Sequence, residues 1–244
     1  MRFKTGFRTS GLRHLPLKEA LEGIVHAGFQ TVEFCLEHPE ASSSTLESAR
    51  RMGLEISAVS YHGKRDDSDT RLRNGKRAVR MAAEYSVPVV VLGSPLDGGE
   101  GFLREAAELY DTCRELGVKP AWETEPGTVL NGLDEFNRCI VPLGPFAGIN
   151  LDAGHLHIQS RCTVSDISSL GERIFHVHVE GMNRSEHRHL IPGEGDMEWE
   201  NLFSGLAEAG YRGSLTVDLF DIPVDWKEYL QQANIALNGL IDYM

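Results

Sequence analysis

Eight short β-branched or apolar runs, most followed by a longer stretch of helical periodicity, set the strongest constraint on this chain. The runs are Phe3–Phe7, Thr31–Leu36, Glu55–Tyr61, Val87–Leu92, Val118–Glu123, Gly148–Asp152, Ile174–Val179 and Ser214–Leu219. They recur about every 25 to 40 residues, the length of one βα unit. Helical periodicity predicts helices over Leu17–Ala27, Ser42–Met52, Asp69–Tyr85, Gly101–Leu116, Glu198–Ala209 and Trp226–Leu240, with shorter segments after the fifth and sixth strands. Gly28, Gly53, Gly117 and Gly210 each stand just past a helix and just before a strand, a repeated αβ turn. Repeated eight times, βα predicts a closed (β/α)₈ barrel, read as one domain over residues 1–244. A doubly wound open sheet is the alternative. It would place a G-x-G-x-x-G turn after the first strand, and none stands there.

Charge and cysteines narrow the function classes. With 24 Lys and Arg against 36 Asp and Glu, the net charge of −12 disfavours a long nucleic-acid surface. The four cysteines form no CxxC pair, so neither a zinc ribbon nor a disulfide framework is expected. No apolar run is long enough to cross a bilayer, and the N-terminus lacks the apolar core of a signal peptide. A cytoplasmic location is the expectation.

A barrel enzyme gathers its reactive groups at the C-terminal ends of its strands. Here four consecutive strands end in metal-capable residues: Glu123, Asp152, His178 and Asp218. Three carboxylates and one imidazole suit one divalent cation, Mn²⁺, Mg²⁺, Co²⁺ or Zn²⁺, with room for water or substrate oxygens. His176, two residues before His178, falls on the same side of the strand one layer deeper, as a buried hydrogen-bonding partner. Glu33 lies in a strand interior, where an acid needs a partner, and a supporting role is expected. Trp122 alternates away from Glu123 and is read as core.

The stretches Asp152-Ala153-Gly154-His155, Phe175-His176-Val177-His178 and Pro192-Gly193-Glu194-Gly195-Asp196-Met197-Glu198-Trp199, with Gly213 to Asp218, carry a resemblance. The chain resembles the xylose isomerase-like TIM-barrel superfamily, which holds sugar isomerases and epimerases together with the endonuclease IV group. The resemblance implies that Glu123, Asp152, His178 and Asp218 bind the metal. It implies that His155 touches a substrate oxygen or a second metal and that Arg188 holds a substrate hydroxyl or phosphate; His62, just after the third strand, is read as hydrogen-bonding substrate or ligating metal. Glu123 would take a proton beside a carbonyl, and Asp218 or a water would return one, through an enediolate. In the epimerase branch a second Glu stands where this chain has the shorter Asp218. The implied substrate is a small sugar or a related polyol, keto-acid or inositol derivative. Dimers are common in the family.

The endonuclease IV group offers a competing reading. His62 and His189 match two of its zinc ligands, His187 stands where an acid would be, and Leu92-Gly93-Ser94-Pro95 lacks the His expected after the fourth strand. A second metal would draw on His62, His155 and His189. A barrel that only binds a metabolite is a third alternative, opposed by the four convergent ligands.

Overall fold

The computed structural model describes residues 3–243 and shows a closed barrel of eight parallel strands. They are β1 (Thr5–Arg8), β2 (Thr31–Cys35), β3 (Glu55–Tyr61), β4 (Val89–Leu92), β5 (Lys119–Glu123), β6 (Gly148–Asp152), β7 (Ile174–Val179) and β10 (Leu215–Val217). Neighbours in sequence are neighbours around the barrel, and β10 closes it against β1. All eight runs fall on these strands, with ends shifted by one or two residues in five of them.

Helices α1 (Leu17–His26), α2 (Ser43–Arg51), α3 (Ser68–Glu84), α4 (Gly99–Leu116), α5 (Leu133–Cys139), α6 (Ala153–Ile158), α7 (Val164–Leu170), α8 (Trp199–Glu208) and α9 (Trp226–Tyr243) surround the barrel. Each αβ turn glycine identified above takes the left-handed region, from φ 71° at Gly117 to 90° at Gly53, where a side chain would be strained. Gly23 serves a different need: a Cβ there would lie 2.1 Å from the Trp226 ring, so its absence lets α9 close against α1. Asn234 of α9 completes that seam. It donates to Ala27 O at 2.8 Å and accepts from the Thr5 hydroxyl at 2.7 Å.

Strand alternation divides the molecule into two chemistries. Outward residues such as Phe7, Phe34, Val90, Trp122, Leu151 and Val217 join the helices in one apolar core. Inside the barrel, Ala58, Val89, Val91 and Ala121 form only a small apolar cluster. Above it the interior turns polar and charged, which puts the chemistry at the C-terminal mouth.

One segment departs from the expected pattern. The stretch between β7 and α8, read as a loop from sequence, contains a β-hairpin of β8 (Gly181–Asn183) and β9 (Glu186–Leu190). The hairpin is too short and too rich in histidine and arginine to show hydrophobic alternation, so its signal was absent from the sequence. Among the described residues no helix is long and apolar enough to cross a membrane.

Candidate functional site

The strand ends converge as expected. One ligand atom from each of Glu123, Asp152, His178 and Asp218 lies within 4.8 Å of the others, and all four residues are buried. Local β-irregularity helps to aim them. The pairing of β6 with β7 shifts register between Ile149 and Asn150, just before Asp152, and β2 shifts against β3 between Val32 and Glu33.

His178 is oriented from below. Its Nε2–H donates to Glu33 Oε2 at 2.6 Å. Nδ1 is therefore the atom turned to the three acids, 3.6 Å from Glu123 Oε1 and 3.8 Å from both Asp152 Oδ2 and Asp218 Oδ2. Asn150 Nδ2 also lies 3.0 Å from it. Carboxylate behind imidazole is the arrangement that fixes tautomer and ring angle in metal-binding histidines. Glu33 is wholly buried and also meets His176 Nε2 at 2.9 Å and Arg8 Nε at 3.0 Å. Burial alone would raise its pKa, but His178, His176 and Arg8 hold the carboxyl well below the usual carboxylate range. The supporting role expected for Glu33 and the deeper position of His176 thus take a concrete form.

The electrostatics of the tetrad suit a divalent cation. Burial disfavours charge on Glu123 and Asp152, yet His62 and His178 hold Glu123, and His155 and His178 hold Asp152, well below their usual range. Burial likewise opposes charge on His178, and Glu33, Asp152 and Glu123 outweigh it, lifting its pKa well above the ordinary value. Asp152 Oδ2 and Asp218 Oδ1 are buried without a hydrogen-bond partner. Three acids around one imidazole, with two unpartnered carboxylate oxygens, fit a cation with hard oxygen preference.

Two charged residues at this mouth escaped the sequence reading. Arg8, the last residue of β1, is buried, donates through Nη1 to Asp218 Oδ2 at 2.6 Å, and places Nη2 2.8 Å from His62 Nδ1. It stood one residue beyond the expected strand, where the same strand-end rule would have found it. Glu180 lies two residues after His178, on the same side of the chain. Its Oε1 accepts from Gly154 N–H at 2.9 Å, and a Cβ on Gly154 would lie 2.0 Å from that oxygen. Burial, reinforced by Asp152, pushes the Glu180 pKa well above the usual value.

The histidines sort differently from the expectation of a second site at His62, His155 and His189. His62 hydrogen-bonds Glu123 Oε2, and its backbone N–H donates to Glu37 at 3.2 Å. In its place His187 joins His155 and His189, with ligand nitrogens within 4.8 Å of one another. Their tautomers are set by the main chain: His155 Nδ1 donates to Thr124 O at 2.9 Å and His189 Nδ1 to Asp218 O at 2.8 Å. With Nδ1 so engaged, Nε2 is the nitrogen each ring has for another partner, and His155 Nε2 hydrogen-bonds His187 Nε2 at 3.0 Å. The hairpin makes this possible, because period-2 alternation puts His187 and His189 on one face of β9. Arg188 points from the other face, is exposed, and lines a neighbouring groove with Phe220 and Tyr229 instead of the central pocket. His157, given no role from sequence, ties the loop before α8 down through Asp196 Oδ1 at 2.7 Å.

A pocket of about 400 Å³ opens over the tetrad, lined among others by Arg8, His62, Glu123, His155, His189 and Asp218. That volume suits a small metabolite.

The comparisons with known proteins agree with this fold. A family model described as xylose isomerase-like TIM barrel matches residues 21–237. A fructoselysine 3-epimerase of Shigella flexneri is 22% identical over 254 aligned positions, covering 88% of this chain and 90% of its own. A rhizopine catabolism protein of Rhizobium meliloti is 23% identical, covering 83% and 74%. Among solved structures, a xylose isomerase domain protein from Alicyclobacillus acidocaldarius superposes with TM-score 0.81 at 17% identity, covering 99% of both chains. An L-ribulose 3-epimerase gives TM-score 0.80 at 16% identity, covering 99% and 95%.

Proposed function

The chain belongs to the xylose isomerase-like TIM-barrel family, and from that premise we propose that it is a divalent-metal-dependent isomerase or epimerase of a small sugar or related polyol or keto compound, working through an enediolate. The observation that carries the proposal is the convergence of Glu123, Asp152, His178 and Asp218 within 4.8 Å at the floor of a sugar-sized pocket. The 3-epimerase activities named for the relatives support the same reading.

The residues divide the work. Glu123, Asp152, His178 and Asp218 would hold one Mn²⁺, Mg²⁺, Co²⁺ or Zn²⁺. A cation there would polarise a carbonyl and a neighbouring hydroxyl oxygen as a Lewis acid. Glu123 is the base that removes the proton beside the carbonyl. Its Oε1 faces His178 and His155, and its Oε2 is held by His62, so its direction is set before substrate arrives. Asp218 or a water returns the proton. Arg8 Nη1 donates to Asp218 Oδ2 at 2.6 Å, which fixes the direction of that carboxylate oxygen. His155 and His62 hold substrate oxygens. His155, His187 and His189 would take a second cation, in place of the set built on His62.

The test is elemental analysis of the purified protein before and after chelation, with turnover of a ketose panel in D₂O followed by NMR. About one cation per chain, lost in Asp152→Asn, with deuterium entering beside the carbonyl, is the expected result. Turnover that survives complete metal removal would reject the proposal. Two to three zinc ions with nicking of abasic DNA would replace it with phosphodiester cleavage.

A further inference from the structure

The cations lining the pocket are not equivalent. The end of β1 and the 3-10 turn after it supply Arg8, Ser10 and Arg13, and the loop after β3 supplies Lys64 and Arg65. Arg8 is committed to Glu33 and Asp218, and Lys64 to Glu125. Arg13 and Arg65 are exposed, and among the described residues neither side chain has an ion pair or hydrogen bond. Ser10 is only 8% exposed, and its buried hydroxyl has no partner either.

The acids on the same lining are already engaged. Glu123 and Asp218 belong to the tetrad. Glu125 takes Lys64, and Asp66 accepts from the Tyr61 hydroxyl. Glu37 accepts from the backbone N–H groups of His62 and Gly63, at 3.2 and 3.0 Å. In a chain carrying 36 acids and 24 Lys and Arg, Arg13 and Arg65 are two guanidinium groups on one pocket that no carboxylate among the described residues pairs.

We propose that Arg13 and Arg65, with Ser10, form an anion subsite, and that the substrate is a sugar-like molecule bearing a phosphate or carboxylate group at the end remote from the reacting carbonyl. Guanidinium forks match both anions in bidentate fashion, and Ser10 Oγ adds a donor whose partner is otherwise missing. The long-range attraction also works against the repulsion that a net charge of −12 exerts on any anion approaching the molecule. The identity of the reacting end rests on the isomerase reading. The anion subsite does not, because Arg13, Arg65 and Ser10 lie outside the tetrad.

The test is calorimetric titration of the metal-loaded protein with three probes: a neutral ketohexose, its 6-phosphate and its 6-carboxylate. Wild type, Arg13→Ala, Arg65→Ala and the double variant are compared, and inorganic phosphate is titrated into both loaded and chelated protein. One anionic probe should bind at least about tenfold tighter than the neutral one, as expected for charge-assisted hydrogen bonds. The preference should shrink with salt and vanish in the double variant, while neutral-probe binding stays unchanged. Which anion wins identifies phosphate or carboxylate. Equal binding of all three, binding of none, or a preference that survives the double variant would overturn the subsite. Failure of the isomerase reading shows separately, as absence of bound metal while phosphate still binds in an Arg13- and Arg65-dependent way.

Discussion

The two halves of the barrel mouth differ in what they contribute. Glu123 and Asp152 end β5 and β6, His178 stands one residue before the end of β7 and Asp218 one residue past β10, and the four meet as candidate ligands. Strands β1, β2 and β3 deliver Arg8, Glu33 and, just past β3, His62, which touch those residues from the other side. Strand β4 delivers nothing of the kind. Ser94 beyond it only bonds Thr128 at 2.8 Å and the Leu130 N–H at 3.0 Å. One half supplies the candidate ligand atoms, and the other half touches them and balances their charge. Such a division explains how several buried acids coexist: the positive charge of Arg8 and the imidazoles holds them ionised without a bound ion.

Breaking the first half should cost most. Glu123→Gln is nearly isosteric, so the variant should fold with an unchanged circular dichroism spectrum and lose roughly 10²- to 10⁴-fold in kcat on the true substrate. Full turnover in this variant would remove Glu123 from the role of base.

Breaking the second half should act on stability before chemistry. Arg8→Met leaves Asp218 without its guanidinium partner and Glu33 with histidines alone. Urea unfolding of the metal-free protein should show a loss of about 3 kcal/mol, the scale for stripping one partner from a buried pair. A bound divalent cation should restore part of it. An Arg8→Met protein as stable as wild type would show that the two halves are electrostatically independent.

Glu33→Gln tests orientation with less disturbance. Its loss should lower metal affinity or activity by about 10- to 100-fold, the usual range for a carboxylate behind a ligating histidine. The weakened metal binding should be visible by competition with a chelator, apart from any assay of turnover.

The smallest effect is a slope with pH. Burial and Arg8 lower the His62 pKa, but Glu123 and Glu37 raise it more, from 6.5 to about 9. Between those values the folded metal-free protein holds a proton that the unfolded chain releases, so stability should fall as pH rises through this window. The contribution is present below pH 6.5 and gone above about 9, and His62→Gln should flatten that part of the curve in chelated protein.

Much of the site was legible from strand ends. Apolar alternation stops where a strand meets the mouth, so an acid or histidine at that point stands out. This is how Glu123, Asp152, His178 and Asp218 were found. Arg8 was passed over because β1 is short and the apolar run was taken to stop at Phe7. Glu180 lies past the end of β7, where the period still holds but no strand signal remains. The hairpin carried no hydrophobic pattern, so His187 read only as a residue standing where an acidic ligand would be and Arg188 as a substrate contact.

The sequence by itself determined the barrel and the strand ends that carry chemistry, because both follow from local periodicity repeated eight times. Only the tertiary structure decided which groups meet. Arg8 and Asp218 are 210 residues apart and touch because closing the barrel makes its first and last strands neighbours, while Glu33 of β2 and His178 of β7, 145 apart, meet across the barrel interior. The tautomers of His155 and His189 are likewise set by backbone carbonyls from other segments, Thr124 and Asp218. Spacing along the chain carries no record of these contacts, since they depend on closure and register across the whole ring.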